Sequence, residues 1–75
     1  MAKLPVVSGV DAVKALGKVG YEFDHQSGSH MILRHKAPPY RRVSIPNHKE
    51  LAKGTLRAII RETGLTVAEF TDLLS

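Results

Sequence analysis

The chain has 75 residues and no cysteine, which excludes a disulfide framework and a thiolate metal site. A chain of this size forms one small domain, with too little interior to enclose a large cofactor beside its core. No apolar run approaches the roughly 20 residues that cross a bilayer, and the first residues lack the apolar core of a signal peptide. We therefore expect a cytoplasmic protein with a single domain over residues 1–75.

The net charge of +4 is unevenly distributed along the sequence. Residues 1–33 sum to zero and residues 62–75 to −3, whereas residues 34–61 hold eight basic residues against one acidic residue, a sum of +7. A basic segment of this kind favours a polyanionic partner, most simply nucleic acid. The alternative is a surface whose charge serves only solubility.

The first predicted element is a helix that begins at Ser8. The stretch Ser8-Gly9-Val10-Asp11 has the form of a helix N-terminus, with a hydroxyl cap and an acid three residues later. Apolar residues then recur at helical spacing, and Gly20 is placed to end the helix in a left-handed conformation. The predicted apolar stripe consists of Val10, Val13, Leu16 and Val19.

A strand is predicted directly after this helix. Residues 21–26 alternate strictly along the chain, which is typical of a half-buried strand. In a regular strand this alternation puts Tyr21, Phe23 and His25 on one face.

Two further strands follow at short intervals. The dipeptide Ser27-Gly28 indicates a turn, and residues 29–35 form the second strand, which is broken by Ala37-Pro38-Pro39. The third strand covers residues 40–45 and stops at Pro46. Three strands that meet at short turns predict an antiparallel meander.

Helices are predicted for the rest of the chain. Residues 47–50 favour one short turn, and a clear helix runs from about Thr55 to a stop at Gly64. The stretch Thr66-Val67-Ala68-Glu69 is a capping box that opens a last helix. Helices on one face of an antiparallel sheet make a two-layer α+β domain. The predicted buried positions of the first of these helices are Leu56, Ile59 and Ile60, and the apolar positions of the last helix are Val67, Phe70, Leu73 and Leu74.

The two C-terminal helices and their Gly-Leu-Thr connection also fit a helix-turn-helix. In that motif the second helix enters the major groove and meets phosphates. Here the last helix carries Glu69 and Asp72 and no basic residue, so the phosphates would repel it. The pattern therefore disfavours DNA recognition by this motif.

Four histidines, at positions 25, 30, 35 and 48, are the candidates for chemistry. Structural zinc usually takes four ligands, often with thiolates, so a metal site is disfavoured. The best candidate for proton transfer is His30, which follows Gly28-Ser29 at the mouth of the hairpin, because an imidazole can both accept and donate a proton. The alternative is a hairpin-end histidine that merely tolerates exposure.

The tetrad Gly28-Ser29-His30-Met31 is also the sequence that removal of a purification tag leaves at the start of a recombinant protein. Here it lies inside the chain, after an orderly helical pattern and without a preceding run of histidines. It continues into the β-type run Met31-Ile32-Leu33. We therefore take His30 to be native.

Several short sequence motifs, distributed in a fixed order over nearly the whole chain, are informative together. They are Lys3-Leu4-Pro5 with Ser8-Gly9, Gly28-Ser29-His30 followed by Met31-Ile32-Leu33-Arg34-His35, Val43-Ser44-Ile45-Pro46 with His48, and Lys53-Gly54-Thr55-Leu56-Arg57 running to Gly64-Leu65-Thr66 and Phe70. Together they resemble the HicA toxins of bacterial toxin–antitoxin pairs. The loop at residues 36–40 departs from the family's more usual Pro-Asp-Gly-like turn.

The resemblance implies a double-stranded-RNA-binding-domain-like fold, α-β-β-β-α, with a three-stranded antiparallel sheet and helices on one face. It implies a bacterial toxin of the type II class that cleaves mRNA without the ribosome, with His30 as the catalytic residue. It also implies a HicB-like antitoxin that binds the toxin and covers His30. The alternative is a non-catalytic RNA- or DNA-binding module of the same fold.

RNA supplies its own nucleophile, the 2′-hydroxyl beside each phosphate, so we expect neither a metal nor a cofactor. One positioned histidine typically contributes about 10²- to 10⁴-fold to the rate, and nearby cations stabilise the developing charge. The second proton carrier stays open between His48, His35 and a lysine. The residues expected to bind RNA are Ser29, Arg34, Lys36, Arg41, Arg42, Lys49, Lys53 and Arg57.

Overall fold

The computed structural model describes residues 3–75, and residues 1 and 2 of the predicted 1–75 domain lie outside the described part. Its three strands form one antiparallel sheet in the order β1-β2-β3. The predicted α+β class and its α-β-β-β-α arrangement are confirmed, with two helices at the C-terminal end. In chain order the elements are α1 (Gly9–Gly17), β1 (Tyr21–Ser27), β2 (His30–His35), β3 (Arg42–Pro46), α2 (Lys53–Thr63) and α3 (Val67–Leu73).

Helix α1 begins at the predicted cap, because the Ser8 hydroxyl accepts a hydrogen bond of 3.0 Å from the Asp11 amide. Its buried face differs from the predicted stripe. Ala12, Ala15 and Leu16 are buried, whereas Val10 is exposed. The small alanines let the helix approach the sheet closely, so the valines, which are larger, mark its flank and not its contact face.

The end of α1 also differs from the prediction. The helix ends at Gly17, and the left-handed glycine, Gly20 with φ 100°, follows after one further turn. At this end the Lys18 ammonium donates hydrogen bonds of 2.8 Å to the carbonyls of Leu73 and Ser75. These bonds connect α1 to the C-terminal end of α3, where a cation is favourable.

Helices α2 and α3 have the predicted boundaries and caps to within two residues. Helix α2 ends at Thr63 and is capped by Gly64, which has φ 78°, and Thr66 and Glu69 form the predicted capping box of α3. The predicted burial of Leu56, Ile59 and Ile60 is confirmed, and of the apolar residues of α3 Phe70 is fully buried. The largest fully buried side chains are Phe70, Leu16, Leu33, Ile45 and Leu56, and they form one core between helices and sheet.

Strands β2 and β3 alternate between a face packed on the helices and a face turned away from them. In β2 the side chains of Met31 and Leu33 are buried, and in β3 those of Val43 and Ile45. The side chains between them point to the opposite face. On that face, residues paired across β2 and β3 are His30 with Pro46, Ile32 with Ser44, and Arg34 with Arg42.

Strand β1 contains a β-bulge that changes the face of His25. The register pairs Phe23 with Leu33 and then His25 with Ile32, so Asp24 is the extra residue. The predicted common face for Tyr21, Phe23 and His25 is therefore wrong, because the bulge turns His25 to the side away from the helices. This side of the sheet, the open face, comprises Glu22, Asp24, His25, Ser27, His30, Ile32, Arg34, Arg42, Ser44 and Pro46.

The connections differ in detail from the predicted ones. Strand β3 begins at Arg42, because Tyr40 has a left-handed φ of 57° that does not continue a strand. It also includes Pro46, which is allowed at the edge of the sheet, where no further strand needs its amide. Residues 47–50 form no helical turn, and the chain bends at residues 49 and 50.

Candidate active site

The β1–β2 hairpin presents His30 at one end of the sheet. Strand β1 ends at Ser27 and β2 begins at His30, so only Gly28 and Ser29 form the loop. Gly28 has φ 58°, a left-handed conformation that glycine adopts at little cost. The tight turn therefore fixes where the first residue of β2 emerges.

The end of β3 and the segment after it flank the backbone of His30 on the side away from β1. Pro46 lies opposite His30 in the sheet, and the Asn47 amide donates a hydrogen bond of 2.7 Å to the Ser29 carbonyl. The start of α1 supports this segment, because the Gly9 amide donates to the His48 carbonyl at 2.9 Å. A Cβ atom at position 9 would collide with the Pro46 carbonyl oxygen, so only glycine permits this approach.

The imidazole of His30 is exposed on the open face. Within residues 3–75 the structure shows no hydrogen bond to its ring, so both ring nitrogens are accessible from solvent. Its backbone is held by the neighbouring strands on both sides. A ring that is exposed, on a backbone that is fixed, can accept a proton from a bound molecule or donate one to it.

Two arginines share the open face with His30. Arg34 and Arg42 lie directly opposite each other on β2 and β3. The Arg34 guanidinium lies over the Tyr40 ring, 4.9 Å from its centroid, a cation–π contact that restricts its movement. Two guanidinium groups on neighbouring strands match a phosphate well, and the carboxylates of Glu22 and Asp24 beside them offset part of their charge.

The other predicted RNA-binding residues are distributed around the sheet. Arg41 points to the helical side, where it donates a hydrogen bond of 3.2 Å to the Glu62 carbonyl at the end of α2. This bond places the end of α2 beside the start of β3. Lys53 is the first residue of α2 and is exposed. Ser29, Lys36, Lys49 and Arg57 are exposed.

His35, at the other end of β2, is a structural residue. Its Nδ1 accepts a hydrogen bond of 3.1 Å from the Ala37 amide, and its Nε2 lies 2.9 Å from the Val19 carbonyl oxygen. A carbonyl only accepts, so Nε2 carries a proton in this contact. The ring also packs edge-on against Tyr21, with centroids 4.9 Å apart. Both nitrogens are occupied, which removes His35 from the candidates for proton transfer to RNA.

His25 and Asp24 form a pair that the sequence did not single out. The Nδ1 of His25 lies 2.7 Å from Oδ2 of Asp24. This hydrogen bond, together with the charges of Arg42 and Arg34, keeps the pKa of the Asp24 carboxyl below its usual value. The bulge that turns His25 to the open face leaves no trace in the alternation of polar and apolar residues. In the sequence, the only indication of this pair is that an acidic residue directly precedes a histidine.

Among residues 3–75 no group of three or more His, Cys, Asp or Glu side chains is arranged to hold a metal ion. In the same range no helix is long and apolar enough to cross a membrane.

Comparison with known protein families agrees with the fold and the order of motifs. Residues 9–65 match the family model for the HicA toxin of bacterial toxin–antitoxin systems. This range extends from the first residue of α1 to the residue after Gly64, so it contains the whole sheet and α2. A comparison with curated protein sequences gives no match. Membership implies a toxin with an antitoxin partner and an RNA substrate, since the family generally consists of ribonucleases. The chain belongs to the HicA toxin family of bacterial toxin–antitoxin systems.

Proposed function

We propose that this chain is a ribosome-independent, metal-independent mRNA endoribonuclease and the toxin of a type II pair, with one domain over residues 1–75. His30 moves a proton, and the 2′-hydroxyl of the RNA is the nucleophile. The observation that carries this proposal is the exposed His30 ring, on a backbone held from both sides, on the same face as Arg34 and Arg42.

The reaction needs only proton transfer and charge stabilisation from the protein. A base removes the proton of the 2′-hydroxyl, and the 2′-oxygen attacks the adjacent phosphorus. The bond from phosphorus to the 5′-oxygen breaks, and this oxygen takes up a proton. Arg34 and Arg42 stabilise the negative charge that develops on the phosphate oxygens. The products are a 2′,3′-cyclic phosphate and a 5′-hydroxyl.

The role of the basic segment, residues 34–61, is to contact the phosphate backbone of the RNA. Lys49 follows β3 at the end of the sheet where His30 lies, Lys36 follows β2 at the other end, and Lys53 adds a further exposed cation at the start of α2. Such contacts fix the position of a strand without selecting its sequence. The proposed RNA-binding residues are Ser29, Arg34, Lys36, Arg41, Arg42, Lys49, Lys53 and Arg57.

The proposed partner is a HicB-like antitoxin in the bacterial cytoplasm that covers His30. A free ribonuclease harms its host, so the inhibitor must prevent access of RNA to the site. A basic surface attracts an acidic one. Hydrogen exchange of the complex tests the masking: we expect protection of residues 28–48. Protection confined to residues 1–20 would refute it.

The nucleophile is tested with RNA that carries a single 2′-deoxy nucleotide at a mapped cut position. We expect that cut to disappear while binding stays nearly unchanged, because one hydroxyl is a small part of a backbone-dominated affinity. Chelator should leave cleavage of the unmodified RNA intact. Cleavage at the modified position, or loss of activity with chelator, would mean that water or hydroxide attacks the phosphate.

The second candidate function is a non-catalytic nucleic-acid-binding module of the same fold. The positive charge of residues 34–61 favours it equally, since binding and catalysis need the same cations. Pure protein that binds RNA with affinity dependent on salt, yet leaves it uncut, would establish this second function in place of the first.

A further inference from the structure

We infer that His25, held by Asp24, is the second proton-transfer residue of the site and protonates the leaving 5′-oxygen, while His30 removes the proton of the 2′-hydroxyl. The inference rests on the proposed function of His30. In the attack at phosphorus, the entering 2′-oxygen and the leaving 5′-oxygen lie on opposite sides of the phosphorus atom. One imidazole cannot reach both oxygens within the roughly 3 Å that proton transfer needs, so a second group is required.

The bulge in β1 brings His25 to the correct face. In a regular strand His25 would be paired with Met31 and point to the helices. The extra residue, Asp24, shifts the pairing, and His25 lies opposite Ile32 instead. Bulges are frequent next to active sites, because they change the direction of a side chain without disrupting the sheet.

The register places His25 and His30 as diagonal neighbours. Ser27 is paired with His30 and His25 with Ile32, two residues further along β2. Diagonal neighbours of an antiparallel pair lie about 7–8 Å apart, within reach of long side chains. A phosphate group between two such rings can contact one imidazole through each of its reacting oxygens.

Asp24 gives His25 a defined orientation. Its carboxylate accepts the hydrogen bond from Nδ1 at 2.7 Å, so the other nitrogen, Nε2, points away from it. The side chains of His25 and Asp24 are 54% and 36% exposed, so a bound RNA can reach them. Nε2 can then donate its proton to the leaving oxygen and recover one from solvent. Asp24 is a positioning residue in this scheme.

The remaining groups on the open face complete the electrostatics around His25. Besides His25 itself, the charges of Arg42 and Arg34 act on the Asp24 carboxylate. Glu22, which pairs with Arg34, is the other carboxylate on β1. His48, a competing candidate, follows Pro46 by two residues beyond the end of β3, and its carbonyl, not its ring, is held by Gly9.

The decisive experiment compares two RNAs of one sequence in single-turnover cleavage. One has an ordinary scissile linkage, and the other has sulfur in place of the leaving 5′-oxygen. Sulfur leaves without protonation, so it removes the need for an acid. We expect His25→Gln to lose about 10²-fold or more on the ordinary RNA and to cleave the sulfur RNA at nearly the wild-type rate. His30→Ala should be impaired on both.

Several results would overturn the inference. One is a loss of cleavage rate below about threefold by His25→Gln on ordinary RNA, and another is an equal loss by His25→Gln on both RNAs. A third is recovery of the cleavage rate on the sulfur RNA by His30→Ala and not by His25→Gln. A loss of 10²-fold or more by His48→Gln, with recovery on sulfur RNA, would assign the acid to His48. Wild-type protein that cuts neither RNA would refute the proposed ribonuclease itself, which is a separate outcome.

The role of Asp24 has a matched control on the same strand. Asp24→Asn and Glu22→Gln each remove one negative charge from the open face. We expect only Asp24→Asn to lower the rate constant for cleavage, with the affinity for RNA changed equally in both. Equal rate effects for the two variants would exclude positioning by Asp24.

Discussion

The two ends of strand β2 carry the same residue type in opposite circumstances. His30 begins the strand on the open face, exposed and accessible at both ring nitrogens. His35 ends it on the helical face, with one nitrogen held by Ala37 and the other by the Val19 carbonyl. Five positions along a strand reverse the face. The hydrogen-bond partners of the ring, and not the residue type, therefore distinguish a histidine available to a substrate from one that stabilises the fold.

The largest expected effect belongs to His30. His30→Ala should reduce RNA cleavage by about 10²- to 10⁴-fold and abolish growth inhibition, because the imidazole transfers the proton. The urea midpoint of unfolding and the affinity for RNA should stay close to those of the wild type, since the exposed ring contributes little to the core. Undiminished cleavage by pure His30→Ala protein would end the assignment.

His35 should show the opposite pattern. His35→Ala leaves the Ala37 amide and the Val19 carbonyl without their partner and removes the contact with Tyr21. We expect a loss of about 2 kcal/mol in the free energy of unfolding, measured by urea denaturation. The fraction that remains folded at low temperature should still cleave RNA. His48→Ala, an exposed histidine, is the stability control and should change the unfolding free energy by less than about 0.5 kcal/mol. A stable His35→Ala protein without activity would contradict this division.

The smallest effect compares adjacent arginines on the two faces. Arg42 lies on the open face, whereas Arg41 is held by the Glu62 carbonyl on the helical side. In an inactive His30→Ala background, the slope of log K against log salt should flatten by about 0.7 for each lost contact with a single strand. We expect Arg42→Gln to approach this change and Arg41→Gln to give a smaller one. Equal changes would show that RNA contacts both sides of the sheet.

Local signals made most of the fold predictable. The capping box at Thr66 and the cap at Ser8 are short-range hydrogen-bond patterns, and the helical spacing of Leu56, Ile59 and Ile60 reports burial directly. The buried face of α1 was not predictable in this way. Its contact residues, Ala12 and Ala15, are too small to dominate an apolar pattern, although their size is what allows close packing.

The site was predictable only in part, because it depends on pairing between strands. The hairpin signal at Ser27-Gly28 predicted where His30 emerges. The bulge at Asp24 depends on the register of β1 against β2, which the sequence of β1 alone does not specify. For the same reason the His25–Asp24 pair was missed, and the role of His35 was left open.

Chemical rescue tests the central claim most directly, because it asks whether the missing imidazole is the missing function. Free imidazole added to His30→Ala protein can occupy the space of the lost ring and move the proton in its place. We predict that cleavage by His30→Ala rises with imidazole concentration, that the same bonds are cut as by the wild type, and that the rate follows the fraction of neutral imidazole as the pH changes. No rise at any imidazole concentration, from a variant that still binds RNA, or an equal rise for RNA without any protein, would contradict proton transfer by His30.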